Sequence, residues 1–143
     1  MSEARLNSCA IVFVTEHIEK TAAYYREVLG FRVVEHYEHV EKFAALYRDA
    51  VEIILVQAKY GQVRSNRANF GAGFDAYLVP ENAEEAVRAI YAEVQGRGAN
   101  IVQPLGLTPY GNYEFALEDI DGRVIGIGHI QKPQTFFRDQ SAK

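Results

Sequence analysis

The chain repeats one pattern of apolar residues, and the two copies lie 65 positions apart. In each copy, four apolar residues recur at i, i+4, i+7 and i+11, which is the spacing of one side of an α-helix. These residues are Ile18, Ala22, Tyr25 and Leu29 in the first copy and Ala83, Val87, Ile90 and Val94 in the second. Gly30 follows the first set, at a position where a helix commonly ends in the left-handed conformation. Two equivalent helices limit the fold to two similar halves.

Strand-like segments surround each predicted helix in the same order. Segments rich in β-branched and aromatic residues occupy positions 8–14, 31–38, 42–47 and 51–57 in the first half and 73–79, 100–103, 113–117 and 123–130 in the second. The second helix is predicted at 81–96, and Asp121-Gly122 predicts a hairpin turn between the last two strands. We therefore predict an α+β fold of two βαβββ modules that form a curved mixed sheet.

One domain accounts for most of the chain, because 143 residues is an ordinary size for a single domain. The predicted domain covers 1–130, with module one at about 6–57, a loop at 58–72, module two at about 73–130, and a tail at 131–143. The loop is rich in Gly, Ser and Asn, which is typical of a connection. The tail is polar except for Phe136-Phe137, and we expect this pair to dock on the protein or to reach across a dimer.

Composition excludes several classes of partner. The chain is 48% apolar and 24% charged with a net charge of −4, which is typical of a soluble globular protein. The sequence contains no stripe of Lys and Arg residues of the kind that would indicate nucleic-acid binding. The sequence also contains no uninterrupted run of about 18 apolar residues, which a membrane-spanning helix would need. The single cysteine, Cys9, excludes an intramolecular disulfide, and the N-terminus has no signal-peptide pattern, so we predict a cytoplasmic protein.

Two motifs carry a resemblance to a known family. One is Ile18-Glu-Lys-Thr-Ala-Ala-Tyr-Tyr-Arg-Glu-Val-Leu-Gly-Phe31, and the other is Pro109-Tyr-Gly-Asn-Tyr-Glu-Phe-Ala-Leu-Glu-Asp-Ile-Asp-Gly122. They resemble the first helix and the late signature of the glyoxalase, bleomycin-resistance and dioxygenase (vicinal oxygen chelate) superfamily. The resemblance spans residues 6 to 130 and implies two βαβββ modules whose strands curve around a cavity. Many members hold a divalent metal there, through one side chain from the first and last strand of each module.

The four positions at which the resemblance implies metal ligands are small or apolar here. They fall at Ser8, Cys9 or Ala10, near Ile54, at Gly73, Phe74 or Asp75, and at Gly126. Cys9 lies in an apolar strand and is expected in the core. Glu52 and Asp75 are the carboxylates within range, and both have simpler structural explanations: a salt bridge for Glu52 and a backbone amide for Asp75. None of the four histidines has the required spacing. We therefore predict no metal and no cofactor.

Without ligands for a metal, the cavity becomes an apolar and aromatic cup. Its predicted ligand-binding residues are Ile11, Phe13, Tyr47, Ile54, Phe74, Tyr110, Tyr113, Phe115 and Gly126. Gly126 and Gly128 leave room for close approach to the strand. Aromatic rings stack on planar ligands, unless they fill the barrel themselves. The resemblance is closest to the metal-free bleomycin-resistance proteins, which implies a homodimer that binds a small aromatic or amphipathic molecule without chemistry.

Two other functions remain open at this level. One is a metal-dependent lyase, isomerase or dioxygenase with displaced ligands, such as Glu52, Asp75 and a histidine. The other is a metal-free enzyme that uses Tyr113, Glu114 or Asp75 as a general acid or base. The sequence assigns no catalytic residue, and it favours binding over catalysis.

Overall fold

The computed structural model describes residues 3–81 and 83–130, and the Phe136-Phe137 pair lies outside this range. Its elements are β1 (Ile11–Thr15), α1 (Ile18–Glu27), β2 (Arg32–His36), β3 (Phe43–Arg48), β4 (Val51–Gln57), α2 (Asn66–Phe70), β5 (Ala76–Leu78), α3 (Ala83–Gly96), β6 (Asn100–Leu107), β7 (Asn112–Glu118) and β8 (Val124–Ile130). None of the described helices is long and apolar enough to cross a membrane.

The strands form two four-stranded mixed sheets with the same topology. Sheet one has the order β1-β4-β3-β2, and sheet two has the order β5-β8-β7-β6. In each sheet the first strand pairs in parallel with the last, and the other pairs are antiparallel. The predicted α+β class and the repeated βαβββ order are confirmed.

The repeated helical pattern places one apolar side of each helix against a sheet. Ile18, Ala22 and Tyr25 of α1 are buried, as are Val87 and Val94 of α3. A continuous apolar core joins these residues to β3, β4, β7 and β8, so both modules contribute to one core. Gly30 has φ +73, as the sequence predicted for the end of the first helical segment.

The segment before β1 differs from the prediction. The first strand begins at Ile11, and Ser8, Cys9 and Ala10 are exposed and lie before it. The prediction that Cys9 belongs to the core is therefore wrong. An apolar composition predicted the strand, but β4 pairs with β1 only from Ile11 to Thr15, so no partner strand covers the earlier residues.

The connection between the modules contains a short helix that the sequence analysis missed. Helix α2 begins after Ser65, whose Oγ accepts a hydrogen bond from the Ala68 amide. It ends at Gly71, which has φ +83. The same Ser and Gly that indicated a loop are the capping residues of this helix. Five residues are too few to display apolar periodicity, so composition alone could not separate the helix from a loop.

A buried polar network joins module one to the β7–β8 turn of module two. Arg123 Nη1 lies 3.0 Å from Asp119 Oδ2 and 3.0 Å from Asp121 Oδ2. Thr15 Oγ1 donates to Asp121 Oδ2 at 2.6 Å, and Tyr25 Oη donates to Asp119 Oδ2 at 2.7 Å. Burial first and then the Asp119 carboxylate raise the pKa of Tyr25 well above its usual value. These contacts fix the orientation of the two modules.

Candidate functional site

Each sheet has an inner face that packs against its helix and an outer face on the other side. Side chains alternate between the two faces along a strand. In β7, Phe115 and Leu117 belong to the core, so they lie on the inner face and Glu114 and Ala116 lie on the outer face. In β8, Ile125 and Ile127 are core residues, which places Gly126 and Gly128 on the outer face.

Glu114 lies at the centre of the outer face of sheet two and is completely buried. Three neutral donors converge on its carboxylate. Tyr77 Oη donates to Oε1 at 2.9 Å, while Gln103 Nε2 and Tyr110 Oη donate to Oε2 at 2.9 and 2.7 Å. In the described part of the chain no Lys, Arg or His forms an ion pair with Glu114. A buried carboxylate without a counter-charge is uncommon and calls for a functional explanation.

The two tyrosines respond to this carboxylate. Burial, followed by the hydrogen bond to Glu114, raises the pKa of Tyr110 to about 12. Burial and the hydrogen bond to Glu114 also raise the pKa of Tyr77 well above the ordinary value for tyrosine. Both hydroxyls therefore hold their protons at neutral pH and act as donors to Glu114.

Asn112 adds a second acceptor next to Glu114. Its side chain is buried, and its Nδ2 lies 3.4 Å from Tyr77 Oη, which itself bonds to Glu114. Its Oδ1 has no hydrogen-bond partner among the described residues. Because an unpaired buried oxygen is costly, a donor from outside the described chain would stabilise it.

Two glycines make room for the aromatic rings of this face. A Cβ on Gly126 would lie 2.8 Å from the Tyr77 ring and 2.9 Å from the Phe74 ring. A Cβ on Gly128 would overlap the Tyr77 hydroxyl and the Glu114 side chain. Phe74 and Tyr77 meet edge to face, with ring centroids 5.3 Å apart. We call the whole set the Glu114 site, and its members are Phe74, Tyr77, Gln103, Tyr110, Asn112, Glu114, Gly126 and Gly128.

The nine predicted ligand-binding residues divide among three places. Phe74, Tyr110 and Gly126 lie together in the Glu114 site. Tyr47 and Ile54 lie on the outer face of sheet one, where the Arg32 guanidinium stacks on the Tyr47 ring. The other four lie on the inner faces, and they are Ile11, Phe13, Tyr113 and Phe115.

A separate cleft of about 510 Å³ lies between the modules, next to α3. Its lining is mostly apolar and includes Phe31, Val51, Ile90 and Ile127. The charged residues of its lining are Arg48, Asp49 and Glu81. The Arg48 guanidinium is already bonded, because it donates to both Glu93 carboxylate oxygens and to the Leu29 carbonyl. This inter-module cleft therefore offers a ligand mostly apolar surface, and the carboxylates in its lining, Asp49 and Glu81, are exposed to solvent rather than buried.

The family model of the Glyoxalase/Bleomycin resistance protein/Dioxygenase superfamily matches residues 5–127, which cover both modules. The chain belongs to this superfamily. No protein with a curated description matches the chain in sequence. Membership in the superfamily explains the duplicated module, but it does not by itself assign a ligand or a reaction.

Solved structures of the superfamily's fold resemble the chain over most of its length. The crystal structure of a glyoxalase/bleomycin resistance protein/dioxygenase from Alicyclobacillus acidocaldarius has a TM-score of 0.71 at 10% identity, with 90% of this chain and 94% of that chain covered. UcmS2 has a TM-score of 0.66 at 19% identity, and TioX from Micromonospora sp. ML1 has 0.63 at 16%. Each of these two comparisons covers 87% of this chain and 98% of the other. At these identities the likeness concerns the fold alone.

The metal site found in many members of the superfamily does not fit the residues of this chain. The facing pairs on the outer sides of the first and last strands are Val12 with Ile54 and Tyr77 with Gly126. The Asp75 carboxylate accepts hydrogen bonds from the backbone amides of Asn66 and Val124, both at 2.9 Å, so each of its oxygens already has a backbone partner. No group of three or more potential metal-binding side chains occurs in residues 3–81 and 83–130. No step of a mechanism is therefore assigned to a metal.

Sequence reasoning missed Tyr77, Gln103 and Asn112 as members of the site and named Glu114 only as a possible acid or base. One signal was available for Tyr77. Gly126 and Gly128 alternate on one face of a strand, and such a pair leaves space for a large side chain from the neighbouring strand. Gln103 and Asn112 gave no such signal, because their importance depends on contacts with Glu114 and Tyr77.

Proposed function

We propose that the protein binds a small aromatic or amphipathic molecule at the Glu114 site without a metal. The observation that carries this proposal is the completely buried Glu114 carboxylate, which accepts hydrogen bonds from Tyr77 and Tyr110, while the Phe74 ring packs edge to face against Tyr77. Small-molecule sites commonly combine apolar or aromatic surface with a few polar groups that fix orientation. In this proposal the rings contact the planar part of the ligand and the buried oxygens orient it.

The Glu114 site is favoured over the inter-module cleft because it contains a completely buried carboxylate and, in Asn112 Oδ1, a buried acceptor without a partner among the described residues. Tyr110 is 49% exposed and lies in the β6–β7 connection, so its ring can move aside without disturbing the core. The Arg48 guanidinium in the cleft would have to leave Glu93 before it met a ligand.

A thermal-shift panel with chelator-treated protein tests the proposed function. We expect at least one planar aromatic compound to raise the melting temperature in a saturable manner, because a ligand that binds only the folded state stabilises it. Elemental analysis of the untreated protein checks the metal in the same preparation. A stoichiometric transition metal, together with loss of ligand binding after chelation, would overturn the metal-free proposal.

We also propose that two copies associate as a homodimer in the cytoplasm. Support comes from the outer face of sheet one, where Val12 and Val14 are 62% and 49% exposed on edge strand β1. An exposed apolar edge strand is a favourable surface for association with another chain. Sedimentation equilibrium should give a dimer for the native chain and a monomer for Val12→Glu. A native monomer at micromolar concentration would contradict the proposal.

A further inference from the structure

We propose that the ligand of the Glu114 site is an organic cation, with a protonated amine, amidine or guanidine group attached to an aromatic or apolar body. This inference rests on the proposed function and specifies the chemical class of its ligand. It depends on the buried acceptors of the site rather than on its apolar surface.

Glu114 has no cationic partner among the described ion pairs. Glu114 is completely buried, and the three groups that donate to it are two phenols and one amide. Neutral donors solvate a carboxylate but leave its charge uncompensated. A ligand cation would supply the missing charge, and a charge-assisted hydrogen bond is stronger than one between neutral groups.

Asn112 Oδ1 is a second buried acceptor, and it has no partner among the described residues. Asn112 and Glu114 both contact the Tyr77 hydroxyl, so their side chains adjoin one another. An ammonium, amidinium or guanidinium group carries several N–H donors and can satisfy both acceptors, whereas an alcohol carries one.

Three aromatic rings belong to the Glu114 site. The rings of Phe74 and Tyr77 lie across Gly126. Tyr110 is half exposed, and its hydroxyl donates to Oε2 of Glu114, whereas the Tyr77 hydroxyl donates to Oε1. Aromatic faces attract cations as well as planar ligands. The Tyr110 hydroxyl occupies Glu114 Oε2 in the free protein, and the ligand's N–H group would replace it there.

Isothermal titration calorimetry with three nearly isosteric probes tests the charge preference. The probes are benzamidine, which is a cation, benzamide, which is neutral, and benzoate, which is an anion. We expect the native protein to bind benzamidine at least about tenfold more tightly than benzamide, and benzoate most weakly, since tenfold corresponds to one modest charge-assisted hydrogen bond. Equal affinity for benzamidine and benzamide would overturn the cation proposal and leave the proposed function intact. Binding of none of the three would overturn the cation proposal, and if no compound of the thermal-shift panel bound either, the proposed function would be overturned as well.

Two variants and a control connect the preference to Glu114. Glu114→Gln should reduce the preference for benzamidine over benzamide to below about threefold, because the residual hydrogen bond carries no charge. Glu52→Gln removes the same charge from the outer face of sheet one and should keep the native preference. A preference that persists in Glu114→Gln would contradict the proposal.

Tyr110→Phe tests the displacement step and keeps the proposal falsifiable if Glu114→Gln does not fold. The variant retains the ring and removes the hydroxyl that competes for Glu114. We expect its affinity for benzamidine to rise about two- to tenfold, which corresponds to one neutral hydrogen bond. A lower affinity for benzamidine in this variant would contradict displacement of Tyr110 by the ligand.

Discussion

Arg123 illustrates how a single residue can hold two modules together. Its guanidinium is buried between Asp119 and Asp121, donates to the Val14 carbonyl and stacks on the Phe13 ring. Removal of the cation would leave two buried carboxylates without a counter-charge. Such a loss typically costs more than the net gain from forming the pair.

We predict that Arg123→Met lowers the free energy of unfolding by about 3–5 kcal/mol, as expected for a broken buried ion pair. Urea denaturation followed by circular dichroism measures this change. Arg26→Met is the matched control, because Arg26 and Glu27 form an exposed pair at 3.7 Å. The control should stay within about 0.5 kcal/mol of the native protein. A similar small effect for Arg123→Met would show that the network is not needed for stability.

Tyr110 makes stability depend on pH in the alkaline range. Its pKa is about 12 in the folded protein, whereas an unfolded tyrosine has a pKa of about 10. The folded state therefore retains a proton that the unfolded state has lost. This contribution to stability is complete below about pH 10 and disappears as the pH rises through about 12.

We predict that the unfolding free energy of Tyr110→Phe falls less steeply than that of the native protein between pH 10 and about 12. Urea denaturation at several pH values measures the difference between the two slopes. Tyr77 and Tyr25 remain in both proteins, so the comparison isolates Tyr110. Parallel curves would indicate that Tyr110 does not donate to Glu114 in solution.

Strand β8 provides the surface on which the Tyr77 ring of the Glu114 site lies. Its two outer-face glycines allow Tyr77 to lie flat across the strand, and a side chain at either position would push the ring away. Gly106 lies in β6 of the same sheet, and a Cβ there would meet nothing within 4 Å. The two kinds of glycine therefore provide a matched pair for substitution.

Gly128→Ala should lower the free energy of unfolding by about 1–3 kcal/mol, because the added methyl group overpacks a filled region. Gly106→Ala should change it by less than about 0.5 kcal/mol. Thermal or urea denaturation of both variants measures the contrast. If Gly128→Ala matched Gly106→Ala, the ring of Tyr77 would not lie over β8 in solution.

The secondary structure was more predictable than the site because helices and strands leave periodic signals in the sequence. Strand β4 has the predicted bounds, Val51–Gln57, and the two long helices follow the repeated apolar spacing. Periodicity also indicates which residues share a face of a strand. It does not indicate whether the aromatic face of a strand packs against a helix or lines a cavity, as in β7, where Phe115 packs against Tyr91 of α3.

The predicted ligand-binding set combines residues from both faces for this reason. Tyr113 and Phe115 alternate with Glu114, and the structure places the two aromatic residues inside and Glu114 outside. A shift of one residue exchanges the two faces of a strand. The contacts of Glu114 with Tyr77 and Gln103 span 37 and 11 residues of sequence, and no local pattern encodes such a pairing.

At the scale of the whole molecule, the two modules share one core and two polar junctions. The Asp119, Asp121 and Arg123 network forms one junction, and Arg48 with Glu93 forms the other, at 2.8 and 3.0 Å. Neither sheet has an apolar core of its own that is independent of the other. Cooperative unfolding follows from this arrangement.

We predict a single unfolding transition. Far- and near-ultraviolet circular dichroism, which report on secondary structure and on tyrosine packing, should give coincident urea curves. The measurement should be made at one fixed protein concentration, since association of copies would shift the midpoint. Two separate transitions would contradict a shared core and would indicate that each module is stable independently.

An amide-resolved NMR titration tests the binding site most directly. Chelator-treated, isotope-labelled protein would be titrated with benzamidine while the amide signals of all strands are followed. The account predicts saturable shifts centred on Tyr77, Tyr110, Asn112, Glu114, Gly126 and Gly128. Shifts centred instead on Phe31, Val51, Ile90 and Ile127 of the inter-module cleft, or no saturable shift at all, would contradict it.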